Sequence, residues 1–93
     1  MFIRGAHVLQ GKQLSVTTSN QQEDVVQNAE YIISNPDYSE TVFVNTDGNT
    51  ADVTKDMPIF PLEHAIVRAK LGTINYIGSD SLTVHLNKIE TGA

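Results

Sequence analysis

No cysteine occurs anywhere in the 93 residues, and this limits the fold more than any motif does. A disulfide framework, a thiolate zinc site and a thiol nucleophile are all excluded. An apolar core must therefore hold the chain together. Surface scaling for a chain of this mass gives about 14,800 Å² unfolded and about 5,300 Å² folded, so roughly 64% of the surface is buried. That supports one domain spanning residues 1–93. It does not support a packed scaffold that also encloses a deep catalytic cavity.

Charged residues make up only 18% of the chain, against about a quarter in ordinary globular proteins. Uncharged polar side chains fill the gap: Ser, Thr, Asn and Gln together number 27 of 93. The net charge of −5 lacks the basic footprint of a nucleic-acid-binding protein and disfavours an anionic membrane surface. The apolar runs are too short to span a bilayer as a helix. The N-terminal Met1–Gly5 segment has no basic region followed by a long apolar stretch, so no secretory signal is expected there. The expected location is a virion or the host cytoplasm.

Residues 2–9 alternate loosely, and residues 13–18 alternate strictly, with Leu14 and Val16 on one face. With Gly11 between them, the two segments predict a β-hairpin. Residues 21–34 predict a helix. Val25, Val26, Ala29, Ile32 and Ile33 recur as a 3.6-residue stripe, and Asn20 with Glu23 has capping-box spacing. Residues 41–44 predict a central strand. Residues 45–60 read as a long loop. A second helix is expected from Pro61, closed by Gly72, with Leu62, Ala65, Ile66 and Ala69 buried. Residues 73–77 and 82–89 predict two strands joined as a hairpin by residues 78–81, with Leu82, Val84 and Leu86 facing in.

The expected fold class is α+β. The element order is β-β-α-β-α-β-β, with a sheet of about five strands and two helices packed on one face. The open sheet face would carry Ser15, Thr17, Thr83, His85 and Asn87, with few of the charges that guard against strand addition.

Residues bearing chemistry are sparse. Asn45, Asp47, Asn49, Asp52 and Asp56 suggest oxygen ligands for a hard cation. Counted from Asn45, however, the sixth position is Thr50 rather than the glycine an EF-hand loop requires. Local turns account for the same residues, so no metal or other cofactor is expected. His7, His64 and His85 have no mutual spacing that marks a shared centre. No nucleophile elbow and no glycine-rich phosphate loop is present.

Contact residues are easier to nominate. Met57, Ile59 and Phe60 flank or sit between two prolines, Pro58 and Pro61, that hold the segment extended, and they form a candidate apolar ridge, with Tyr38 a further exposed aromatic. The expectation is a non-enzymatic interaction module that forms homo-oligomers or contacts other protein chains. A capsid-decorating or tail-associated virion subunit is the favoured form. The alternative is a small acidic phage-type inhibitor that engages a host enzyme through Glu23, Asp24 and Glu30 on one helix face.

Overall fold

The computed structural model describes residues 6–8, 11–79 and 82–91, and every regular element among them is a β-strand. The strands are β1 (Ala6–Val8), β2 (Lys12–Val16), β3 (Gln21–Asp24), β4 (Glu30–Ser34), β5 (Val42–Asn45), β6 (Met57–Ile59), β7 (His64–Arg68), β8 (Thr73–Ile77) and β9 (Leu82–Thr91). They form two antiparallel sheets. The front sheet runs β1-β9-β4-β7, with β2 also on β9, and the back sheet runs β3-β8-β5-β6. The expected α+β class is therefore wrong: the fold is all-β, and no helix occurs among the described residues. Among the described residues no helix is long and apolar enough to cross a membrane.

Two of the strands are one strand interrupted. Both β1 and β2 pair antiparallel with β9, in continuous order along it. Four residue steps from Val8 to Lys12 oppose only three from Leu86 to Ile89, which is the count of a β-bulge. Gly11 sits at this break. A Cβ there would collide with the Leu86 carbonyl oxygen, so the close approach requires glycine. The hairpin expected at this position is absent, because the two segments lie end to end rather than side by side. Phe2, Leu9 and Gln10, which belonged to that expectation, lie outside the described residues.

With β1 and β2 counted together, the pairing pattern is simple. The first strand pairs with β9, β3 with β8, β4 with β7 and β5 with β6. The chain is a long hairpin bent at residues 46–56, whose successive rungs alternate between front and back sheets. This eight-strand rolled ribbon is the jelly-roll architecture. The second expected hairpin also fails, since β8 and β9 lie in different sheets.

The core lies between the sheets. Leu14, Val16, Tyr31, Ile33, Leu82, Val84 and Leu86 enter it from the front, and Val42, Val44, Ile59, Ile74 and Tyr76 from the back. The inward set of β2 and of β9 is the one the alternation predicts. The two helical stripes dissolve into strands. Residues 21–34 divide into β3, a turn and β4, with Asn28 at φ 65°. In β4, Tyr31 and Ile33 point in while Ile32 points out beside Ile66. In β7, Val67 is buried against the core, and His64 and Arg68 are exposed.

The long loop after β5 does not project freely. Asn20 Oδ1 accepts the Ala51 N–H at 2.8 Å, and Asn20 Nδ2 donates to the buried Asn75 at 3.0 Å. These bonds fold the loop back onto the back sheet. The front sheet keeps an open outer face that includes Ser15, Thr83, His85 and Asn87. Thr17 lies beyond β2, where its hydroxyl serves the 17–21 turn.

Candidate functional site

Strand direction brings two loops to one end of the sandwich. Residues 35–41 leave the end of β4 and enter β5. Residues 60–63 leave β6 and enter β7, which pairs with β4. Asn35 locks them together. It is 1% exposed, and its Nδ2 donates to the Glu40 carbonyl at 2.8 Å and the Ile59 carbonyl at 3.0 Å. Its Oδ1 accepts the Asp37 N–H at 3.1 Å, and its own N–H reaches the Glu63 carbonyl at 2.9 Å. The Leu62 N–H donates to the Asp37 carbonyl at 3.0 Å.

Asp37 organises its own turn. Oδ2 accepts the Ser39 N–H at 2.9 Å, the Ser39 hydroxyl at 3.1 Å and the Glu40 N–H at 2.6 Å. The Ser39 backbone bond, followed by that of Glu40, holds the Asp37 carboxyl below its ordinary pKa, because these donors favour the ionised form. Ser79 Oγ donates to Glu40 Oε2 at 2.7 Å and ties a third loop to the same end.

On this braced platform stand three large apolar side chains. Tyr38 is 83% exposed, Leu62 71% and Phe60 54%. Leu62 also has φ 62°, a left-handed conformation that costs an L-residue roughly 1–2 kcal/mol. A strained backbone that presents an exposed leucine is an observed outlier of the kind that clusters at functional sites.

Part of this group is expected from the sequence. Tyr38 and Phe60 belong to it. Ile59 does not, because it is 2% exposed and packs in the core. Met57 is exposed, but it starts β6, about 10 Å from Phe60 at strand rise. The expected continuous ridge is therefore broken by the inward turn of Ile59. Leu62, expected in a buried helix stripe, stands in solvent instead. The Pro61-Leu62-Glu63 sequence carries no glycine or asparagine to signal its positive φ.

The acidic helix face does not exist. Glu23 and Asp24 lie on β3 in the back sheet, whereas Glu30 lies on β4 in the front sheet. Glu23 forms an ion pair with Lys12 across the seam between the sheets, and Glu30 approaches Arg68 at 3.8 Å. The three carboxylates share no face.

The acidic loop spends its oxygens locally. Asn45 Oδ1 accepts the Asp47 and Asn49 N–H groups, Asp56 Oδ2 accepts the Asp52 N–H at 2.6 Å, and Asn45 Nδ2 donates to Asp56 Oδ1. The Thr54 hydroxyl and then its N–H lower the Asp52 pKa. Among the described residues no group of three or more His, Asp or Glu side chains is placed to hold a metal ion. His64 and His85 flank Ser34 in register on the front sheet. The strand of His7 pairs at Glu90. A hollow at the seam is lined by Gly11, Lys12, Asp24, Val25, Tyr31 and Leu86 among others. Lys12, Lys88 and Asp24 are its charged groups, and among the described residues it gathers no imidazole. Compared with protein-family models, characterised proteins and solved structures, the chain matches none.

Proposed function

We propose that this chain is a non-enzymatic interaction module that works through repeated contacts with protein, its own copies included. A structural or assembly subunit of a virion is the form we favour, located in the virion or the host cytoplasm. The observation that carries the reading is the apolar crown. Tyr38, Phe60 and Leu62 are held in water by loops that a buried asparagine fixes in place. Large exposed apolar side chains on a rigid frame are the usual chemistry of a contact hot spot, because little ordering entropy is lost on docking.

Two further features support it. Viral capsid domains use jelly rolls, as do lectins and cupins. This is an analogy of architecture, since function resides in sites rather than folds. Only 18% of the residues are charged, which leaves few of the charges that guard sheets against strand addition. The test is self-association of the purified chain against concentration, compared with the Tyr38→Ser, Phe60→Ser, Leu62→Ser triple variant. Assembly that grows with concentration and weakens at least tenfold in the variant supports the proposal. A chain monomeric at every concentration, or assembly indifferent to the three substitutions, overturns it.

A further inference from the structure

We infer that the free edge of β7 pairs antiparallel with β7 of a second copy, joining two front sheets into one continuous sheet across a twofold axis. The inference rests on the self-association proposed above and names its partner and one of its surfaces.

The sandwich has four strand edges, and three of them are guarded. The β1/β2 edge is broken by the bulge at Gly11 and carries Lys12. β3 carries Glu23 and Asp24, and Glu23 is engaged in its ion pair with Lys12. β6 is three residues long with Pro58 at its centre. Bulges, charges and proline are the devices by which sheets avoid edge-to-edge pairing. β7 has none of them in its middle. It is five residues long, and Ala65, Ile66 and Val67 are uncharged and apolar.

Hydrogen-bond phase decides what this edge offers. The Asn35 N–H donates to the Glu63 carbonyl, and the Ala69 N–H to the Ala29 carbonyl. Both bonds lie on the side of β7 that faces β4. Antiparallel ladders alternate, so residues 63, 65, 67 and 69 bond towards β4. The backbone N–H and C=O of His64, Ile66 and Arg68 then point away from it. Among the described residues, no backbone or side-chain group bonds these outward N–H and C=O groups.

A second β7 satisfies them in one register. Centred on Ile66, that residue lies opposite Ile66 of the partner subunit, and His64 lies opposite Arg68 of the partner subunit. Each opposed pair exchanges two hydrogen bonds. The side chains agree with the backbone. Ile66 stands beside Ile32 on the outer face, so pairing extends that apolar strip across the axis. Ala65 meets Val67 of the partner subunit on the inner face. Glu30, 3.8 Å from Arg68, offsets the charge at the strand end. An isologous contact of this kind is closed and self-complementary.

Sedimentation velocity and amide hydrogen exchange on the full chain test the pairing. Two variants are informative. Ile66→Pro removes an outward N–H and leaves the β4 ladder intact, and Ile66→Lys sets two like charges opposite each other. The expected result is a wild-type dimer in which the His64, Ile66 and Arg68 amides exchange at least tenfold more slowly as concentration rises. Both variants should weaken that dimer at least tenfold while keeping a cooperative unfolding transition. Unprotected exchange at those three amides in the associated state overturns the pairing, as does a dimer that both variants leave intact. If only the crown variant abolishes association, the β7 pairing falls and the crown reading stands. If only the Ile66 variants do, the pairing stands without the crown.

Discussion

Asn35 Nδ2 lies 3.0 Å from the carbonyl oxygen of Ile59, and through this bond the loop bearing Tyr38 is fastened to the segment bearing Phe60 and Leu62. The same amide group reaches Glu40. One buried side chain thus sets the spacing of the whole crown. Asn35→Ala removes the donor from two backbone carbonyls. Leaving buried acceptors unmet costs about 1–3 kcal/mol. Chemical denaturation should register that loss.

Leu62 makes an opposite prediction. Its left-handed backbone is strained, and its side chain is largely in water. Leu62→Gly should leave stability unchanged or raise it by up to about 1 kcal/mol, because glycine adopts this conformation freely. Self-association should nevertheless weaken. Thermal unfolding and light scattering on the same samples separate the two effects. A variant both less stable and equally associated would remove Leu62 from the crown.

Gly11 is intolerant for a steric reason. Alanine there would place its Cβ against the Leu86 carbonyl oxygen and the Asn87 side chain. Gly11→Ala should cost about 1–3 kcal/mol, the range for forced overpacking. Amide exchange should show the loss concentrated along β2 and the first half of β9.

Acid should loosen the crown before it unfolds the core. Asp37 has its carboxyl pKa lowered in the folded chain by the Ser39 and Glu40 backbone donors. A depressed folded pKa means the contribution is complete above the ordinary carboxylate range and is lost as pH falls through the folded value. The Ser39 and Glu40 amide resonances should therefore titrate together with Asp37, below that range. Asp37→Asn should abolish this titration.

The fold was legible where alternation was strict. Leu14 and Val16, and then Leu82, Val84 and Leu86, face in as their period of two requires. It was illegible where two short strands flank a tight turn. Val25, Val26, Ala29, Ile32 and Ile33 imitate a helical stripe because β3 and β4 lie in different sheets, joined by a five-residue turn with left-handed Asn28. The β-branched content of that segment and Tyr31 were the contrary signal. His64-Ala65-Ile66-Val67-Arg68 is a short apolar run with two β-branched residues, as suits a strand, yet Pro61 and Gly72 bracket it as helix caps would. Gly72 does have positive φ, at 75°, in the turn between β7 and β8. Of the crown, Tyr38 and Phe60 could be read from loop composition. Leu62 could not, since its exposure depends on the bond from its N–H to Asp37.

The proposed contact surface of Tyr38, Phe60 and Leu62 stands or falls on self-association. Light scattering of the purified chain across a concentration series, beside the triple serine variant, tests it most directly. Mean mass should rise with concentration for the natural chain and stay near 10.2 kDa, or at a β7-linked pair, for the variant. Two superimposable mass curves would contradict it.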